Sequence, residues 1–219
     1  MPQTGTVVLV HGLWMHGAAM LLIKRRIARC GYRVTTYSYP TVRLDLDENA
    51  VRLAQYCEAL NGSRVHLVAH SLGCLVAIRA AQLLPPSRLG RLVLLGPPLQ
   101  DCYSARRVQR LPGGGSIIGR SIGQWLVTPR SSSFDALDAG VIAGNRRFGL
   151  GCLFAPQLPL PNDGVVSVEE TRISGMRDHM VLGVTHSGML ISTEIVHQVC
   201  AFLGGGTFDR AREGAASVN

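Results

Sequence analysis

Ser71, Asp163 and His186 are the side chains of this 219-residue chain whose types and order suit nucleophilic catalysis. A serine hydroxyl is a weak nucleophile at neutral pH. It needs an imidazole to take its proton, and the imidazole needs a carboxylate to fix its tautomer. Ser71 stands in Ala69-His70-Ser71-Leu72-Gly73, between the apolar run Val65 to Ala69 and a helix-like stretch from Cys74 to Leu84. A serine on a tight strand-to-helix turn is lifted above the sheet, and the first amide of the helix, that of Leu72, points where an oxyanion would form. Gly73 lets strand and helix approach closely, while Ala69 stands where such elbows more often carry glycine. Alone, the pentapeptide fits a buried turn serine as well as a nucleophile; its place between strand and helix favours the nucleophile.

Two histidines follow a late acid. His186 lies in Thr185-His186-Ser187-Gly188, after a strand-like run Met180 to Val184 and before the last helix, so it falls at the carboxyl edge of a parallel sheet. His179 stands at the other end of that run, roughly 17 Å away along an extended strand, and His186 is preferred. For the acid, Asp163 in Pro161-Asn162-Asp163-Gly164-Val165-Val166 follows a strand at Gly140 to Ala143 through a long loop; its other reading is a turn-forming Asn-Asp-Gly. Asp135 and Asp138 precede that strand and belong to the wrong edge, Asp178 accompanies His179, and Glu169 and Glu170 stay open as alternatives. A second oxyanion donor is expected from His11-Gly12-Leu13-Trp14 after the first strand, through the amide of Leu13. Trp14 and Met15 beside it read equally as the wall of an apolar acyl pocket or as core packing. No second ligand stands at metal spacing from His11, so hydrogen bonding within its loop is the reading there. His16, His66, His70 and His197 are read as structural or solvated.

The elements that must position these groups alternate from the start. Strands are expected at Thr6 to Val10, Tyr32 to Tyr39, Arg64 to Ala69, Leu89 to Leu95, Gly140 to Ala143 and Met180 to Val184. Helices are expected from Gly17 to Arg29, after an Asp47 cap, after the elbow, and from Leu190 to Leu203. This alternation predicts an α/β fold with a minimal, mostly parallel sheet of about six strands and helices on both faces. Residues 1–206 are expected to form one domain. Within them, 99–138 is either a small lid or, preferably, the ordinary helix between two strands with a longer leading loop. Residues 207–219 are expected to be a frayed tail.

Composition narrows the partners. Hydrophobic residues make up 47% and charged residues 16%, a globular balance. The net charge of +8 comes from scattered arginines, with aromatic residues at only 5% and no interleaved basic motif, which excludes a nucleic-acid partner. Arg106, Arg107, Arg110 and Arg120 are candidates for peripheral contact with an anionic lipid surface. The six cysteines are widely spaced with no CxxC pair and read as buried free thiols. No signal-peptide pattern or bilayer-length apolar run is visible, and the expected location is cytoplasmic. No metal or organic cofactor is called for.

Val8-Leu9-Val10-His11-Gly12, the elbow Ala69 to Gly73, Asp163-Gly164-Val165-Val166 and Thr185-His186-Ser187-Gly188 together resemble the α/β-hydrolase superfamily in its small bacterial lipase and esterase branch. The order and spacing cover nearly the whole chain. Gly164-Val165-Val166-Ser167 and Glu170-Thr171 strengthen the resemblance. It implies Ser71, Asp163 and His186 as triad, Leu13 and Leu72 as oxyanion donors, and a small-molecule or lipid ester as substrate. A thioesterase or acyltransferase would use the same residues, and a non-catalytic binding protein on the same fold is the alternative from another class.

Overall fold

The computed structural model describes residues 5–62, 64–128, 137–149, 152 and 155–211. Six strands form one sheet: β1 (Thr6–Val10), β2 (Arg33–Tyr37), β3 (Val65–His70), β4 (Leu89–Leu95), β5 (Ala139–Gly144) and β6 (Asp178–Leu182). Their order is β2-β1-β3-β4-β5-β6 and every pairing is parallel. The strands β1, β3 and β5 are buried along their whole length, which is why they read as continuous apolar runs and not as alternating ones.

Side chains alternate between two cores. Val8, Val10, Leu67, Ala69, Leu92, Leu94 and Val141 face α2 (Leu46–Ala59) and α3 (Leu72–Leu83), with α4 (Tyr103–Gln109) and α5 (Gly114–Val127) beyond them. Val7, Leu9, Val68, Val93, Leu95 and Ile142 face α1 (Leu21–Arg29) and α6 (Thr193–Gly205), whose Ile23, Ile27, Ile195, Val199 and Phe202 fill the second core. Reversal of strand order at β1, between β2 and β3, opens the crevice above the carboxyl ends of β1 and β3, the place where such sheets carry their sites.

Four local expectations change. The cap of α2 is Asp45, not Asp47: Asp45 accepts from the Glu48 amide at 2.8 Å while the Glu48 carboxylate accepts from the Asp45 amide at 3.0 Å, a reciprocal pair that satisfies two otherwise orphan donors. The last strand lies two residues earlier than its apolar run, because its register is set by β5, from Gly140 opposite Asp178 to Gly144 opposite Leu182. Asp178 is tolerated at that edge because it accepts from Arg210 and from the Phe208 amide. That same contact ties down the first part of the expected tail: Phe208 is buried, and Asp209 exchanges hydrogen bonds with Gln198. The remainder, 212–219, lies outside the described residues. Finally, Cys30 and Cys200 are joined in a disulfide between α1 and α6, so two of the six thiols are not free, whereas Cys57, Cys74 and Cys102 are buried free thiols as expected.

The segment expected as lid or helix forms α4 and α5 over its described part, with 129–136 outside the described residues. Ser104 donates to the Val165 carbonyl at 2.5 Å, and the Glu170 carboxylate accepts from the Tyr103 amide at 2.6 Å, fastening α4 to the loop that carries Asp163. On α5, Gln124 accepts from the Leu46 amide at 2.7 Å and Ser121 accepts from Asn49 at 2.9 Å, fastening it to the start of α2. Among the described residues no helix is long and apolar enough to cross a membrane.

Candidate active site

Ser71 is the residue between β3 and α3, and its backbone is held at φ 55° and ψ −125°. A non-glycine residue at positive φ is strained, and such strain is kept only where the surroundings enforce it. Here the Ser71 amide donates to the Leu95 carbonyl at 2.9 Å, tying the elbow to β4. The elbow also needs Gly73: a Cβ there would lie 2.5 Å from the His11 carbonyl oxygen and 2.6 Å from that of Val10. Helix α3 therefore starts in contact with the backbone of the β1 loop, and the Leu72 amide, as the first of the helix, has no partner one turn earlier within it.

The β1 loop is braced by its histidine. His11 is fully buried, its Nδ1 donates to the Gly12 carbonyl at 3.0 Å and its Nε2 accepts from the Tyr39 amide at 3.4 Å. Tyr39 stacks on the imidazole at 4.7 Å and donates its hydroxyl to the His11 carbonyl at 2.9 Å. Burial pulls the His11 pKa down, so the ring stays neutral and acts as a fixed strut. Trp14 follows at φ 58°, exposed, with its indole N–H donating to the Ile117 carbonyl at 2.9 Å, so it bridges this loop to α5. Met15 packs against the core shared with α1 and α6, and Leu13 against the opposite core.

Asp163 and His186 meet on the same edge. His186 Nδ1 donates to Asp163 Oδ2 at 2.7 Å, and the His186 amide donates to the Asp163 carbonyl at 2.9 Å. Asp163 Oδ1 accepts from the amides of Val165 at 2.9 Å and Val166 at 2.8 Å. Burial would raise this carboxyl's pKa; the adjoining imidazole and the two amides more than offset it, and the group lies below the usual carboxylate range. Because Nδ1 carries the proton toward Asp163, Nε2 is left as the acceptor nitrogen. The alternatives behave differently. Glu170 is buried with its carboxylate occupied by Tyr103 and Ser167, Glu169 is exposed, and Asp138 sits at the opposite edge with Arg91 and Arg177. Asp135 lies outside the described residues.

Three contributors to this arrangement were not singled out from the sequence. Gly96, at φ 56°, lies directly beneath the pair: a Cβ there would stand 3.1 Å from both Asp163 Oδ2 and His186 Nδ1. Asn162 is fully buried; it donates to the carbonyls of Leu158 at 3.1 Å and Pro159 at 3.0 Å and accepts from Gly164 at 3.0 Å, shaping the turn that aims Asp163. His70, next to Ser71, donates from Nε2 to the His186 carbonyl at 3.0 Å, with the two rings 4.6 Å apart. It joins the Ser71 turn to the His186 loop directly, and its Nδ1 is buried without a partner.

His70 also makes the fold sensitive to acid. Burial, helped by neighbouring His186, lowers its pKa to about 3, and burial lowers His179 to about 4. An unfolded histidine titrates near 6.5, so below that pH the unfolded chain binds protons that the native chain refuses. Stability from these groups is complete above pH 6.5 and is lost as pH falls toward the native values. The melting temperature is expected to drop by roughly 5 °C or more between pH 7 and pH 5. His70→Gln, which keeps an N–H donor near the Nε2 position, should flatten that slope in thermal unfolding followed by circular dichroism; an unchanged slope would show that His70 is not its source.

Among the described residues there is no cluster of three side chains able to hold a metal ion. Of the four arginines expected to face lipid, Arg106 is paired with Asp101 and Arg120 lies 3.6 Å from Asp45, while Arg107 and Arg110 are exposed.

A family model described as the alpha/beta hydrolase family matches residues 7–210. Among solved structures, the mature form of the Bacillus licheniformis lipase BlEst2 superposes with a TM-score of 0.73 at 16% identity, covering 95% of this chain and 94% of that one. Phospholipase PlaB from Legionella pneumophila gives a TM-score of 0.70 at 14% identity, over 93% of this chain and 59% of the other. Aspergillus fumigatus lipase B gives 0.62 at 15% identity, over 92% and 52%. At these identities the likeness is one of fold. No curated protein sequence matches the chain significantly.

Proposed function

The chain belongs to the α/β-hydrolase family, and from that premise we propose that it hydrolyses carboxylic esters through an acyl-enzyme formed on Ser71. His186 Nε2 takes the Ser71 proton as the hydroxyl attacks the ester carbonyl. The amides of Leu13 and Leu72 receive the oxyanion, each typically lowering the barrier by about 3 kcal/mol. His186 then hands the proton to the leaving alcohol, and a water, deprotonated by the same nitrogen, releases the acid. Asp163 holds the imidazole in the tautomer that makes this possible.

The observation that carries the reading is the buried Asp163–His186 pair at 2.7 Å, on the same sheet edge as a serine held at positive φ. Lipase and esterase structures among the fold's neighbours support ester chemistry over other hydrolase reactions. The substrate in this reading is a small-molecule or lipid ester. Exposed Arg107 and Arg110 lie in the sequence beside exposed Leu111, with exposed Ile117 on the next helix, a surface suited to an anionic lipid layer.

A fluorophosphonate probe tests the assignment directly, since it phosphonylates only an activated serine. Labelling at Ser71 is expected in the wild type, none in Ser71→Ala, and at least a thousandfold slower labelling in His186→Ala. Folded wild-type protein that resists the probe would overturn the triad and bring forward the non-catalytic alternative.

A further inference from the structure

The sheet edge opposite the triad holds a polar cavity of about 320 Å3, lined by Tyr32, Arg64, His66, Arg91, Asp138 and Gly204 among others. Its charges are unequal. Arg91 donates from Nε to Asp138 at 3.0 Å and from Nη1 to the carbonyls of Leu203 at 2.6 Å and Gly204 at 2.9 Å, which fixes the guanidinium against the end of α6. The other Asp138 oxygen accepts from Arg177 at 3.2 Å, so this single carboxylate already serves two arginines. Arg64, on the cavity wall, makes no ion pair among the described residues. Positive charge is therefore in excess here, on planar groups that match oxyanions.

Tyr32 lines the same cavity. Its side chain is 5% exposed, and its hydroxyl is buried with no hydrogen-bond partner. A Cβ placed on Gly204 would lie 3.9 Å from that hydroxyl, which puts it at the same helix end as Arg91. Burial raises the phenol's pKa and the Arg91 charge acts against it, so the two groups share one neighbourhood. A buried unpaired hydroxyl is costly, and although it is sealed from solvent in this structure, a small turn of the ring toward an oxygen acceptor in the cavity would remove that cost.

We propose that this cavity binds a small phosphate-type oxyanion, held by the guanidinium groups of Arg64 and Arg91 and by the Tyr32 hydroxyl, at a site separate from the ester chemistry. From Arg64 to His70, strand β3 spans roughly 20 Å, so an occupant does not reach Ser71. It would bind the native chain alone and so stabilise it, clamping the end of α6 to β4 and to the turn before β2.

The test is thermal unfolding of the full chain with inorganic phosphate, against sodium chloride at matched ionic strength. Wild type is expected to gain roughly 5–10 °C at a hundredfold excess over Kd. Arg64→Ala should weaken phosphate binding at least tenfold by calorimetry. Tyr32→Phe should start from a higher melting temperature without phosphate and gain less from it. Ester hydrolysis measured without phosphate should be unchanged in both variants. A phosphate shift with no pelleting on vesicles of phosphatidic acid in phosphatidylcholine assigns a free anion as occupant; pelleting that Arg64→Ala abolishes assigns a lipid phosphate. Chloride matching phosphate, or equal phosphate shifts in wild type and both variants, would mean an adventitious ion only and overturn the site, as would the absence of both responses.

Discussion

Asp163→Asn is expected to slow ester turnover by about four orders of magnitude while the chain stays folded. The geometry states why the loss should be so large for the exchange of one atom. Asp163 Oδ1 accepts two backbone amides, from Val165 and Val166, and Oδ2 accepts from His186 Nδ1. Asparagine has a single acceptor oxygen. Two amide donors claim it, so the new NH2 must face Nδ1, which then has to accept. The imidazole proton moves to Nε2, the nitrogen that should receive the Ser71 proton, and general-base catalysis stops with every heavy atom in place. Steady-state hydrolysis of a p-nitrophenyl ester, with circular dichroism as the check on folding, measures this. A loss under tenfold would remove Asp163 from the triad.

The contacts around Asp163 are of two kinds, and they differ in how far the sequence discloses them. The elbow at Ser71, the histidine after β6 and the acid after β5 are legible because each follows a buried strand, and buried parallel strands announce themselves as apolar runs closed by glycine, proline or polar residues. All three follow the carboxyl ends of parallel strands, which puts them on one edge of the sheet. Gly96 and His70 are different. Gly96 reads as a strand terminator and His70 as a bystander until β4 is set beside β5 and the imidazole loop beside the elbow; the partners of Gly96 lie 67 and 90 residues away in the sequence and that of His70 lies 116 away. The shifted bounds of β6 have the same origin, because an edge strand takes its register from its one neighbour. The Asp45 cap, in contrast, is legible in Asp45-Leu46-Asp47-Glu48, where an acid three residues before a glutamate is the signature of a capping box.

The cysteines show the limit most sharply and carry the second large effect. Cys30 ends α1 and Cys200 lies in α6, 170 residues apart, so nothing in their spacing pairs them; only the packing of both helices on one face of the sheet does. The same face brings Arg26 of α1 to the carbonyl of Ile191, in the turn between His186 and α6, so α1 is tied to α6 by the disulfide and to the preceding turn by a hydrogen bond. Closing so long a loop removes much freedom from the unfolded chain, about 5 kcal/mol in the chain-entropy account. Cys30→Ser, or a reductant acting on this surface pair, is therefore expected to lower the melting temperature by roughly 10–20 °C. Because the bond lies beyond the sheet from α3, fluorophosphonate labelling of Ser71 at 25 °C should persist in the reduced protein. Bonds of this kind last in oxidising surroundings and are lost in reducing ones, so the contribution to stability depends on the redox conditions of the measurement. Thermal unfolding with and without reductant, alongside Cys30→Ser, decides the matter: equal melting temperatures in all three would show that the disulfide contributes nothing to stability, and mass spectrometry of the unreduced protein would show whether it is formed.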